Sequence, residues 1–252
     1  MNKNLLRNNS KETMAKPKIS ILLPTRKRTE AVVKSIGSLL ASAKNTADIE
    51  ILVAYDDDDE ESREFFSSTW WDFIAQTEAT SKVFETERFG YLRLYKYVNM
   101  LAEEATGDWI MFWNDDALML TDNWDEHIVE KTGWFGCLRM PCTSMEHPFA
   151  LFPIIPRTWV DLFGRVSPVN HSDWWIYHVT KNVQRFENIP VFVYHDRADV
   201  TGGNNDETFR EQSYAADGRD PTNPEDYSHP DRRQELAEWI NKLAESIKNG
   251  NH

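Results

Sequence analysis

Two adjacent carboxylates, Asp115 and Asp116, close an apolar run. Residues 109–113 are Trp, Ile, Met, Phe and Trp, and the turn-forming pair Gly107-Asp108 precedes them. An apolar run bounded by turn residues reads as a buried strand. Such a strand delivers its terminal carboxylates to the edge of a sheet, where open α/β sheets bind ligands. Like charges so placed repel each other and are stabilised by a cation. Oxygen donors suit a hard divalent ion, which can in turn hold an anionic group. The bland alternative is a solvated turn at the end of the strand.

The elements that must position this pair come from hydrophobic periodicity. Residues 18–24 form a strand that Pro24 ends. A basic turn, Thr25 to Arg28, leads to a helix with Thr29 at its N-cap and an apolar face of Val32, Val33, Ile36, Leu39, Leu40 and Ala43. Residues 48–55 form a second strand, running into the acidic stretch Asp56-Asp57-Asp58-Asp59-Glu60-Glu61. A helix over 62–76, a weak strand over 82–86 and a helix over 94–105 follow. This alternation is that of parallel βαβ units with right-handed crossovers, a Rossmann-like sheet with helices on both faces. After residue 120 the pattern changes. Short helices are expected over 123–131 and 157–163, strands over 134–140 and 189–195, and a helix opening at His171-Ser172-Asp173. Residues 201–228, rich in Gly, Asn, Asp and Pro, read as a long loop or lid, and 231–248 as a final helix. Residues 1–17 read as a disordered leader, not a signal peptide.

Composition bounds the chemistry. A net charge of −13 over 252 residues argues against a nucleic-acid polymer as partner, which wants a basic surface. A nucleotide held through a metal is not excluded by it. The two cysteines, Cys137 and Cys142, suggest a reducing compartment, and no run is apolar and long enough for a transmembrane segment. Neither the dinucleotide fingerprint nor the P-loop sequence is present. Phosphates would have to be held otherwise, and a metal on Asp116 would serve.

Four blocks, in order, resemble the family 2 glycosyltransferases of GT-A fold. Residues 21–28, Ile-Leu-Leu-Pro-Thr-Arg-Lys-Arg, look like the family's opening strand and Pro-Thr-x-x-Arg turn. The second strand ends in the acidic cluster Asp56 to Asp59. Asn99 stands eight residues before Gly107, and Asn114-Asp115-Asp116 sits where the family carries its Asp-x-Asp metal motif. The resemblance spans residues 18–195. It departs from the pattern at Asn114, at Val98 in place of an arginine, and in the length of the carboxylate run.

The resemblance implies a single GT-A domain over 18–200: a mostly parallel central sheet with helices on both faces and a small antiparallel acceptor-side portion. Residues 18–120 would bind the nucleotide and 121–200 the acceptor. The implied activity is metal-dependent, inverting transfer of a sugar from a nucleotide-diphosphate sugar to an acceptor hydroxyl on a glycan, a lipid-linked sugar or a protein. Mn²⁺ or Mg²⁺ would be held by Asp116 and by His195, which closes the last apolar strand. Pro24, Thr25, Arg26, Arg28, Asp56, Asp58, Arg88, Asn114 and Asp115 would line the nucleotide. One carboxylate of the acidic run would read the base and the rest would be solvated. Asp173 would be the general base, a role worth roughly 10²–10⁴-fold; as an N-cap it would also suit its place. Trp174 and Trp175 would stack on an acceptor sugar, or belong to the core. The competing reading is a catalytically silent nucleotide- or carbohydrate-binding protein on the same fold. The expected location is the cytoplasm.

Overall fold

The computed structural model describes residues 3–8, 16, 18–143, 147–196 and 221–250. The centre of the molecule is four parallel strands: β2 (Ile19–Pro24), β3 (Ile49–Asp56), β4 (Thr80–Thr86) and β5 (Trp109–Phe112). β2 and β3 are buried almost throughout, as a sheet covered on both faces requires. Their side chains alternate. Ile19, Ile21, Leu23, Ile51 and Val53 enter one core, and Leu22, Leu52 and Ala54 the other.

The first core is closed by α1 (Thr29–Ser42), α2 (Glu60–Ser67), α3 (Thr69–Ile74) and α5 (Trp124–Val129), through Ile36, Leu39, Phe66, Trp70 and Trp124. The second is closed by α4 (Leu94–Glu104), α6 (Thr158–Phe163), α7 (Ser172–Asn182) and α8 (Pro230–Lys248), through Val98, Leu101, Trp159, Trp175 and Trp239. β8 (Pro153–Pro156) runs antiparallel to β5, β7 (Cys137–Arg139) antiparallel to β8, and β9 (Phe186–Asn188) parallel to β7. With β1 (Lys3–Asn8) antiparallel to β4, the order is β1-β4-β3-β2-β5-β8-β7-β9. A separate two-stranded antiparallel ribbon joins β6 (Ala117–Met119) to β10 (Val193–His195). The expected mostly parallel α/β sheet with helices on both faces and a small antiparallel part is what the chain forms.

Several elements differ from the sequence reading. Residues 3–8, expected to be a disordered leader, are an edge strand of the sheet, because β4 would otherwise present an unpaired edge. The remainder of that segment, apart from Lys16, lies outside the described residues. The single helix expected over 62–76 is two, broken at Ser68 (φ −137°, ψ −78°). Thr29 is the first residue of α1 and not its cap; its hydroxyl donates to Glu61 at 3.0 Å. Of the lid expected over 201–228, residues 201–220 lie outside the described residues. Residues 221–229 form turns over α4, where Glu225 meets Arg93 at 3.1 Å and Lys96 at 3.2 Å.

Candidate functional site

The parallel strands all end on one edge, and the polar side chains gather there. Thr25 begins the turn after β2 and its amide continues the sheet, donating to Ala54 O at 2.9 Å. Its hydroxyl donates to Asp115 Oδ2 at 2.7 Å, and Arg28 Nη1 donates to Asp115 Oδ1 at 2.8 Å. Asp115 is therefore buried with both oxygens engaged by the turn after the first central strand. Burial raises its pKa above the ordinary carboxylate value. Asp116 adds to the rise, while Arg28 and Thr25 oppose it. Pro24 closes β2 opposite Ala54 and so fixes where this turn starts.

The acidic loop divides its labour. Asp56 is buried. Its Oδ1 accepts from the Tyr97 hydroxyl and its Oδ2 from Arg26 Nη1 at 2.9 Å. Desolvation raises the Asp56 pKa against the pull of Tyr97 and Arg26. Asp58 is half exposed (49%) and takes the same guanidinium, accepting from Arg26 Nη2 at 3.1 Å; Arg26 lowers its pKa. Arg88 Nη1 lies 3.9 Å from Asp58 Oδ2. Asp59 is not solvated, contrary to the sequence reading. It is fully buried, accepts from Ser62 N (3.1 Å) and Ser62 Oγ (2.7 Å) as the N-cap of α2, and accepts from Lys27 N at 2.7 Å. That last bond holds Lys27 in the left-handed region, φ 52°, a strained conformation for a non-glycine residue. The basic turn is thus clamped by Asp59 below and Asp115 beside it.

Asn114, Asp115 and Asp116 form the turn between β5 and β6. Ser35 of α1 fixes it, accepting from Trp113 Nε1 at 2.7 Å and donating to Asn114 O at 2.9 Å. His195 ends β10, and its partner in the register is Ala117. This pairing sets His195 Nε2 3.2 Å from Asp116 Oδ1. His195 is buried, edge-on to Phe152 with ring centroids 4.9 Å apart, and its backbone N–H donates to Thr143 Oγ1 at 2.9 Å. Asp116 Oδ1 is buried without a hydrogen-bond donor among the described residues. Two sequence-predicted ligands, 79 residues apart, are in this way adjacent. Among the described residues, no cluster of three or more His, Cys, Asp or Glu side chains is arranged as a metal cage.

On the other face of the sheet, Asp173 lies in the first turn of α7, with His171 as the capping residue. Asp173 Oδ1 accepts from Trp174 N at 2.8 Å. Desolvation raises its pKa; the Trp174 amide and the neighbouring His171 and His147 oppose the rise. Trp174 packs on His178 (4.0 Å between centroids) and on Tyr227 (4.4 Å). Trp175 cannot stack on an acceptor. It is fully buried and meets Trp239 of α8 at 5.4 Å, so of the two expected uses it has the core one. The helical spacing of adjacent residues, about 100° apart, sends the two rings to different surroundings.

Sequence reasoning missed Tyr97, Asp59 and Ser35. Tyr97 reads as an inward apolar position, and only the end of β3 opposite it reveals that its hydroxyl meets a carboxylate. The signal for Asp59 was local: Asp followed three residues later by Ser62 at a helix start is cap spacing.

No family model matches the sequence, and no curated protein matches it significantly. Solved structures do resemble it. The mannosyltransferase PcManGT from Pyrobaculum calidifontis, in complex with GDP-Man and Mn²⁺, aligns with a TM-score of 0.57 at 13% identity, over 95% of this chain and 79% of that one. S. aureus TarS 1-349 in complex with UDP aligns with a TM-score of 0.54 at 12% identity, over 92% of both. Against a longer S. aureus TarS chain the match covers 71% of this chain but only 36% of that one, at 12% identity and a TM-score of 0.54. At these identities the likeness carries the fold alone: the chain has the GT-A fold of solved nucleotide-sugar glycosyltransferases.

Proposed function

We propose that the chain is a metal-dependent, inverting glycosyltransferase that moves a sugar from a nucleotide-diphosphate sugar to an acceptor hydroxyl. The observation that carries this reading is the pairing of Asp116 with His195 at the edge of the sheet where the parallel strands end, with Asp116 Oδ1 buried 3.2 Å from His195 Nε2 and making no hydrogen bond among the described residues. An oxygen and an imidazole nitrogen at this separation, beside a second carboxylate, fit Mn²⁺ or Mg²⁺, with the remaining positions left to the donor and water. Such an ion, when bound, neutralises the charge developing on the leaving diphosphate.

The chain's own residues do the rest. Asp115, held by Thr25 and Arg28, and Asn114 face the nucleotide's ribose. Arg26, Arg28 and Arg88 supply positive charge for ribose and phosphate. Asp58, the exposed member of the pair on Arg26, reads the base, whereas buried Asp56 fixes Arg26 through Tyr97 and the guanidinium. Asp173 takes the proton from the acceptor hydroxyl, and its raised pKa suits a base that must hold a proton transiently. Trp174 and Tyr227 offer the aromatic surface for the acceptor, which is a glycan, a lipid-linked sugar or a protein. Residues 18–120 serve the donor and 121–200 the acceptor. No helix among the described residues is long and apolar enough to cross a membrane, and Cys137 and Cys142 are buried free thiols. The cytoplasm is the proposed location.

Thermal-shift measurements with UDP and GDP, each with and without Mn²⁺, test the donor site. A shift with one nucleotide that requires Mn²⁺ is expected, and no shift with either counts against the reading. Binding without any release of nucleotide from UDP-GlcNAc or GDP-mannose would favour the silent binding protein, the reading that Asn114 in the first motif position supports.

A further inference from the structure

The catalytic reading gives Asp173 a role but does not say what holds it in place. α7 follows a stretch without regular structure, and that stretch is tied to α4 by one side chain. Asn99 Oδ1 accepts from Val166 N at 2.9 Å and from Ser167 N at 3.1 Å, and its Nδ2 donates to Ser167 O at 2.7 Å. The bonds continue toward the helix. Ser167 Oγ accepts from Val169 N at 3.2 Å and donates to Val169 O at 3.1 Å. Ser172 Oγ, at the first position of α7, also donates to Val169 O, at 3.4 Å. Val166, Ser167, Val169 and Ser172 are all buried, so these backbone groups have no recourse to water.

An amide side chain suits the task because it is acceptor and donor at once. Two consecutive N–H groups and one carbonyl meet it at a bend. A hydrophobic residue here would leave all three buried groups unsatisfied. α4 itself is anchored at its other side to the donor half, since Tyr97, two residues earlier, holds Asp56. We propose that Asn99 is a positioning residue for Asp173, a staple through which α4 fixes the first turn of α7 relative to the nucleotide-binding half. The proposal rests on the reading of Asp173 as the general base.

Two measurements on the full chain test it: hydrogen exchange, and titration of the Asp173 carboxyl carbon by NMR. In Asn99→Ala, exchange at Val166, Ser167 and the first turn of α7 is expected to quicken by about tenfold or more, as buried hydrogen bonds are lost. The amides of β5 should be unchanged. The Asp173 titration should move back toward the ordinary carboxylate value as water reaches the loosened turn. Asn99→Asp keeps the acceptor for both N–H groups but loses the donor to Ser167 O, so protection between that of wild type and Asn99→Ala is expected, which guards against a variant that fails to fold. Exchange and titration both unchanged in Asn99→Ala overturn the proposal. Faster exchange with an unmoved titration also overturns it, because the side chain would then serve only the loop. Nucleotide release by Asp173→Ala, compared with wild type, tests the underlying reading separately. Undiminished turnover there refutes the base and leaves the staple standing.

Discussion

Asp116 keeps one oxygen buried and without a hydrogen bond among the described residues, 3.2 Å from His195 Nε2 and next to a second carboxylate. Such an arrangement costs about 1–3 kcal/mol in a folded protein, and proteins commonly keep it where a ligand repays it. Asp116→Asn removes the repulsion. It is expected to raise the unfolding midpoint in the absence of metal by the equivalent of about 1 kcal/mol, and to abolish the Mn²⁺-dependent shift with nucleotide; calorimetry with and without Mn²⁺ decides. Asp173 has a related signature. Its pKa is raised in the folded state, so the penalty for ionising it is absent below the unfolded carboxylate value and grows as pH rises through the folded pKa. Asp173→Asn should accordingly stabilise the protein at neutral pH and not near pH 3, in unfolding curves run at both. In wild type, the acid limb of kcat/KM should lie above the ordinary aspartate range. At Tyr97, replacement by Phe leaves Asp56 short of one donor; about 1–3 kcal/mol of stability should be lost, with weaker nucleotide binding by titration calorimetry. The carboxylates of this site were legible in the sequence because a strand's end is announced by an abrupt change from apolar to charged. Tyr97 was not, since an aromatic residue on a helix reads as core whether its tip reaches a carboxylate or nothing.

Among the elements, α1 does more than cover the sheet. Ser35, Ser38 and Ser42 recur along it, and each binds the chain that follows β5. Ser35 binds Trp113 and Asn114, Ser38 Oγ accepts from Met119 N at 2.9 Å, and Ser42 O accepts from Asn123 N at 2.6 Å. The turn bearing Asp115 and Asp116 is thereby clipped to a helix that follows the first central strand. Ser35→Ala should cost about 1–3 kcal/mol in urea unfolding and weaken Mn²⁺ binding measured with nucleotide present. The parallel strands and α1, α4 and α8 were legible because their patterns run for several turns or many residues. β6 and β9 are three residues each, too short for alternation to register, and of the strand expected over 189–195 only Val193–His195 pairs, as β10. The break between α2 and α3 has no glycine or proline to announce it.

Across the whole molecule, the two ends of the sheet differ in purpose. The end opposite the site holds a buried, saturated ion pair. Glu50 Oε2 accepts from Ser20 Oγ (2.6 Å) and Thr106 N (2.8 Å), Oε1 accepts from Thr106 Oγ1 (3.0 Å), and Lys82 Nζ lies 2.8 Å from Oε1. Ser20 Oγ also accepts from Gly107 N at 2.8 Å, where a Cβ would come within 2.7 Å of Ser20 N. Lys82→Met should cost about 3–5 kcal/mol by leaving Glu50 without its counter-charge, yet leave nucleotide affinity unchanged at a temperature where the variant is folded. The ribbon of β6 and β10 bears on a different matter, the timing of synthesis. His195 reaches Asp116 by pairing with Ala117, so residues 18–120 emerge from the ribosome well before Asp116 can meet its imidazole. A nascent chain stalled before Val193 would hold Asp115 against Arg28 but leave Asp116 without its imidazole. On the proposed reading, the cation site would thus be completed only after the strands that carry its carboxylates have been made.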